Sequence, residues 1–166
     1  MAFTFGIAKI LSGDKAADGG LGTALTEHDE TLKGTAQLTR SDEDINWIET
    51  EERGKRLAIS QSNAETILEF EVANPSLETQ AYYCGGAVKT ANGKKSYSPP
   101  TNSQSIEKSF KIETKSGYDI VIPNGKVTAT PLSGTIGTEN VMTMKVRVAV
   151  QQPDKAGVDA LTYQEK

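Results

Sequence analysis

From Val141 to Val150 the chain alternates almost without fault. Met142, Met144, Val146, Val148 and Val150 share one parity, while Thr143, Lys145 and Arg147 take the other. Such a period of two places one set against a core and the other toward solvent, so the segment predicts a strand. At about 3.3 Å per residue it would reach roughly 33 Å, long for a small domain. The same pattern recurs upstream. Ile106, Phe110 and Ile112 share a parity across 106–112, as do Tyr118, Ile120 and Ile122 across 118–122, and Val127–Leu132 reads as a shorter strand whose Pro131 belongs at an edge or near its end. Ser116-Gly117, Asn124-Gly125 and the glycines at 134 and 137 separate these runs. Asn-Gly suits the positive-φ turn that matches the twist of a hairpin, so the segments predict an antiparallel meander of four strands.

The first half is less regular. Strands are expected at 34–40, with Ala36 and Leu38 inward, at 56–60, and at 66–72, where Leu68, Phe70 and Val72 alternate with Glu69 and Glu71. One helix is signalled over Pro75–Cys84. Asn74 is placed to cap it, Pro75 fits its first turn, Leu77, Ala81 and Cys84 share a face, and Gly85-Gly86 ends it. Asn92-Gly93 predicts a further hairpin, whereas 98–105 reads as a loop. Residues 1–28 are expected to form a flexible N-terminal arm and 153–166 a polar C-terminal tail. Over 1–166 the expectation is a single all-β domain, a β-sandwich or barrel-like form with one short flanking α-helix.

Composition narrows the chemistry. The chain has 166 residues and a net charge of −4, with one cysteine, Cys84, and one histidine, His28. No run of about 18 apolar residues predicts a membrane-spanning helix, so no membrane insertion is expected. Met1–Gly13 has no basic start and Lys9 interrupts its apolar stretch, so no secretory leader is expected. His28, within Glu27-His28-Asp29-Glu30, lacks a second histidine to share a metal and reads as a solvated loop residue. Cys84, on the apolar side of the predicted helix, reads as a small buried hydrophobe. Gly19-Gly20-Leu21-Gly22 lacks the context of a phosphate loop, and no G-x-S-x-G, HExxH or P-loop occurs. The expectation is a protein that is not an enzyme and holds no cofactor or metal.

Charge is unevenly spread along the chain. Residues 1–83 hold 15 acids and 7 bases and residues 84–166 hold 7 acids and 11 bases, balances of −8 and +4. One reading is an ordinary mixed surface; the other is a molecule with opposed patches that associates head to tail. An acidic total argues against a conventional nucleic-acid reader. The densest segment is 41–56. Between 42 and 52 it carries Asp42, Glu43, Asp44, Glu49, Glu51 and Glu52 without a base, and Arg53, Lys55 and Arg56 follow. Ile45, Ile48 and the single tryptophan, Trp47, sit inside the acidic run. The segment fits a solvated face, a calcium loop without the glycine and final glutamate of an EF-hand, or a long protruding loop that grips a partner through an aromatic anchor.

In order and spacing, several stretches resemble the phage tail tube family, the major tail proteins of long non-contractile tails. They are Leu32-Lys33-Gly34-Thr35-Ala36 before the acidic segment, Glu65-Thr66-Ile67-Leu68-Glu69-Phe70-Glu71, the helix ending in Gly85-Gly86, Ser116-Gly117, Ile120–Val127 and the long strand at 141–150. The resemblance spans about 30–152. It implies a virion structural protein of tail-tube type, self-assembling into hexameric rings that stack into a hollow tube for DNA ejection into the host. DNA would pass without specific binding, and the partners would be tail tip or baseplate, tape measure and tail terminator proteins. It also implies location in the virion tail, with assembly in the host cytoplasm. The protruding loop would contact the adjacent ring through Asp42, Glu43, Asp44, Ile45, Trp47, Ile48, Glu51, Glu52, Arg53, Lys55 and Arg56. The strand at 141–150 would add sheet to sheet between subunits, and its Thr143, Lys145 and Arg147 would face either the lumen or a neighbour's acids. The same fold serves the tube proteins of contractile injection and secretion systems. A monomeric β-sandwich binding or adhesion module of a virion is the rival reading, with Trp47 and Tyr97 as its exposed aromatics.

Overall fold

A computed structural model describes residues 3–52, 54, 56–61 and 64–166. In chain order the elements are β1 (Phe5–Gly13), β2 (Thr26–Glu27), β3 (Gln37–Arg40), β4 (Asp44–Glu49), β5 (Arg56–Gln61), β6 (Thr66–Ala73), α1 (Leu77–Cys84), β7 (Val88–Ala91), β8 (Lys94–Tyr97), β9 (Ile106–Ser116), β10 (Tyr118–Ala129), β11 (Thr143–Val150) and β12 (Thr162–Glu165). Eight strands form one antiparallel sheet ordered β2-β1-β9-β10-β11-β6-β3, with β12 pairing alongside β10. β4–β5 and β7–β8 are separate two-stranded hairpins. The chain is therefore all-β with one short helix.

Alternation builds the core as the sequence predicts. Leu68, Phe70 and Val72 of β6 lie beside Met144, Val146 and Val148 of β11, and Phe110, Ile112, Ile122 and Val127 continue the layer across β9 and β10. Burying each such side chain stabilises the fold by about 1.5–3 kcal/mol. Tyr83 from α1 closes the layer edge-on to Phe70, and its hydroxyl meets the Ser12 hydroxyl at 3.0 Å. On the reverse face the charges of β11 meet those of β6. Arg147 Nε lies 3.6 Å from Glu69 Oε1, Lys145 stands opposite Glu71, and Thr143 donates to Glu71 Oε2 at 3.0 Å. The two free edges approach each other, since Phe5, Gly6 and Ile7 of β1 line a cavity of about 180 Å³ together with Gln37 and Leu38 of β3. The sheet thus curls toward a barrel whose seam is unpaired, rather than stacking two sheets.

Four expectations are corrected. The N-terminal arm is β1, a strand of the sheet paired with β9 from Phe5 to Gly13. Its period is broken by a bulge: the register shifts between Ile7 and Lys9, so Ile7 on one parity and Ile10 on the other both pack on the core. The C-terminal tail is also partly a strand. β12 is exposed at all four positions and is held by backbone pairing with Tyr118–Val121, a bond pattern that leaves no trace in composition. The turn predicted at Asn124-Gly125 is a bulge inside the continuous β10, so the four-strand meander is three strands. Pro123 lacks a backbone donor, its carbonyl accepts from Ser109 Oγ at 2.6 Å, and the Asn124 carbonyl accepts from Gln151 N at 2.9 Å. Finally, α1 is capped by Ser76, whose hydroxyl accepts from Thr79 N, and not by Asn74, which adopts φ 45°. Its buried residues are Thr79, Gln80 and Tyr83, while Leu77, Ala81 and Cys84 are half-buried.

Other signals agree with the structure. Gly117 takes φ 90° in the β9–β10 turn, and Asn92 and Gly93 take φ 52° and 73° between β7 and β8. Ala36 and Leu38 pack against the core.

Candidate assembly interface

The segment 41–56 is not a loop but the first strand and the turn of a hairpin that ends at Gln61. β4 and β5 pair in register from Asp44 opposite Gln61 to Glu49 opposite Arg56. A lone two-stranded ribbon is marginal in water, so its fastenings matter. At the base, Ser41 N donates to Glu65 O at 3.0 Å and Ser41 Oγ accepts from Glu65 N at 2.8 Å. Near the tip, Arg56 Nε reaches Glu49 Oε1 at 2.8 Å while its guanidinium lies 5.4 Å from the centre of the Trp47 ring. Arg56 therefore braces one face of the ribbon, since Ile45, Trp47 and Glu49 share a parity.

Every residue of β4 is exposed. Ile45 and Trp47 are each 58% exposed and Ile48 is 46% exposed, on a ribbon whose two strands form a sheet of their own among the described residues. Asp42, Glu43 and Asp44 lead into it, and Glu51 and Glu52 occupy the exposed turn. The structure thus brings together Asp42, Glu43, Asp44, Ile45, Trp47, Ile48, Glu51, Glu52 and Arg56 on one projecting element, while Arg53 and Lys55 lie outside the described residues. Apolar side chains set among carboxylates on both faces of a ribbon have the composition of a contact surface rather than of a core.

The candidate chemical residues sit elsewhere. His28 is not a free loop residue: its ring stacks on Tyr82 at 3.8 Å between centroids and meets Tyr83 edge-on at 6.0 Å. Burial lowers its pKa, opposed by a hydrogen bond with the Ser12 backbone. Thr26 Oγ1 lies 3.2 Å from its Nε2. Lys108 Nζ lies over the same Tyr82 ring, 4.5 Å from its centre, and is paired with Asp14. Cys84 lies 3.9 Å from Met144 Sδ, and burial raises its thiol pKa, which lowers the thiolate fraction at neutral pH. Tyr97 is half-buried and its hydroxyl donates to Gly85 O at 2.8 Å, which ties it to the end of α1. Among the described residues no three His, Cys, Asp or Glu side chains gather as a metal-binding group, and no helix is long and apolar enough to cross a membrane.

Sequence reasoning placed a hairpin at Asn92-Gly93 but missed the charge it gathers. β7–β8 carries Lys89, Lys94 and Lys95 with no acid between them, and Lys95 alone among these pairs with an acid of the described residues, Glu78 at 2.5 Å. Three lysines without a carboxylate over 88–97 are legible in the sequence, but only the structure shows that they leave the sheet. The chain halves are also interleaved, β1 pairing with β9 and β6 with β11. The uneven charge therefore does not divide the molecule in two; the two small hairpins carry balances of −3 over 42–61 and +3 over 88–97, and the remaining acids of the first half are spread over other elements. The strand expected to pair between subunits, β11, is central and bonded on both sides to β10 and β6. Its Arg147 pairs with Glu69 of the same chain, and its Lys145 stands opposite Glu71 in the register.

Sequence comparison matches the chain to no known protein family and to no curated protein. Structural comparison aligns 98% of it with 97% of a chain from the cryo-EM structure of the sheath/tube terminator of an extracellular contractile injection system, PVC, in the extended state, at 8% identity and a TM-score of 0.44. That likeness is too loose to assign a role.

Proposed function

We propose that the chain is a structural virion protein whose copies form hexameric rings that stack into a hollow tail tube for DNA. The observation that carries this reading is the braced β4–β5 ribbon, which holds Ile45, Trp47 and Ile48 in solvent at 46–58% exposure. A protein that stayed monomeric would gain nothing from fastening an apolar strip away from its core. The order of motifs over 30–152 supports the same reading, with the ribbon in the place of the ring-to-ring loop. Because β11 is interior, ring closure falls to two exposed strands, β3, which ends the strand order, and β12, which lies off that order beside β10. Each such contact joins different patches of two copies, and a heterologous contact of this kind closes into a ring when its rotation permits. The acidic total suits a channel that DNA crosses without sticking. Tail tip or baseplate, tape measure and terminator proteins are the partners at the ends and within the tube. Negative-stain microscopy of the purified protein tests this: closed rings or tubes support it, and featureless monomers at high concentration overturn it.

A further inference from the structure

Where the ribbon lands can be read from the other end of the same strand. β6 enters from the β4–β5 side at Thr66 and leaves at Ala73, eight residues or roughly 25 Å further on. At the Ala73 end Asn74 N donates to Met142 O at 3.1 Å, and Ser133 and Thr143 exchange two backbone bonds of 3.0 Å. The loop between them exposes Ile136 at 86% and Val141 at 60%. The basic hairpin is tied to the same end: Cys84 at the close of α1 lies 3.9 Å from Met144, the partner of Val72, and Tyr97 of β8 bonds Gly85 next to it. One end of β6 therefore carries carboxylates with Ile45, Trp47 and Ile48, and the opposite end carries Lys89 and Lys94 with Ile136 and Val141.

We infer that the β4–β5 ribbon of one copy docks on the Ala73 end of the next copy, with Glu51 and Glu52 facing Lys89 and Lys94 and the apolar strip covering Ile136 and Val141. The occupant is a second copy of this chain, because both ends expose apolar side chains and their charges are opposite in balance, six acids to three bases over 42–56 against three lysines and no acid over 88–97. The two ends differ, so the contact is heterologous and propagates in one direction, which is the geometry of a stack rather than of a closed dimer. Apolar burial supplies the attraction, while the charges fix polarity and reject the reversed, acid-to-acid encounter. This contact rests on the tube reading only for the rings it would join.

Charge reversal tests the contact. Lys89→Glu/Lys94→Glu and Glu51→Lys/Glu52→Lys alter exposed positions, so each variant should keep the circular dichroism spectrum of the unaltered protein. In sedimentation velocity each alone should self-associate about tenfold more weakly than the unaltered protein, and an equimolar mixture should regain association, since each variant then meets a complementary end. Ile136→Asp should weaken association as much and should not be rescued by mixing. Undiminished association of any of these variants, or failure of the charge-reversed pair to rescue each other, overturns the contact. Microscopy of the same samples separates the two claims. Linear chains without rings, lost on reversal and restored on mixing, uphold the contact and sink the tube. Rings that stack normally in both reversed variants do the opposite, and a protein monomeric throughout overturns both.

Discussion

Gly125 shows how one position can be read correctly as special and for the wrong reason. Asn-Gly in a run of alternating residues signals a turn because glycine tolerates positive φ. Here Gly125 lies inside β10, and a Cβ at that site would stand 2.4 Å from Val148 Cγ1 and 3.4 Å from Phe110 Cδ2. Its smallness lets β11 approach the bulge. Gly125→Ala should therefore cost about 1–3 kcal/mol through overpacking, read from the urea midpoint, with no loss of strand content. A change within experimental error would mean that the close approach relaxes freely. His28 gives a second residue-scale expectation. Its native pKa is lowered from the ordinary 6.5 by burial against the tyrosines, so the native state binds fewer protons than the unfolded one. The neutral ring's contribution is whole above the unfolded value, near pH 6.5, and is lost as pH falls through that value toward the native one. His28→Gln should accordingly narrow the gap in melting temperature between pH 7.5 and pH 5.5. An unchanged gap would assign the acid sensitivity to carboxylates alone.

At the scale of elements, legibility followed the hydrogen-bonding company each strand keeps. β6 and β11 lie side by side in the interior of the sheet with one face on the core, so Leu68, Phe70, Val72, Met144, Val146 and Val148 write a period of two. β1 contributes Ile7, Ile10 and Ser12, but its bulge shifts the phase, and a phase shift erases periodicity from a nine-residue segment. β12 buries nothing and so leaves no pattern. The helix was recognisable from its stop at Gly85, whereas its buried face was not, because Thr79 and Gln80 are polar residues turned inward. The acidic segment was legible as a departure from core logic but not as a ribbon, since its pairing is fastened by Ser41, Glu65 and the Arg56–Glu49 bridge. That construction makes Trp47 separable from folding. Trp47→Ala should leave the circular dichroism spectrum and melting temperature nearly unchanged while shortening or abolishing stacked assemblies in sedimentation. Unfolding, or assemblies of full length, would contradict the role given to the ribbon.

For the whole molecule, the sheet and the two hairpins divide the work. The curled sheet supplies rigidity and two free edges, and the hairpins supply charge of opposite sign away from it. Net charge of the halves hinted at polarity but misplaced it, because strand pairing mixes the halves and only three-dimensional connection shows which charges remain outside. The central claim, that copies close into rings before stacking, is tested most directly by reference-free averaging of end-on particles in negative-stain images of the purified protein. The account predicts annular averages with a stain-filled centre and sixfold rotational symmetry. Compact averages without a central channel, or open filaments with no end-on ring, would contradict it.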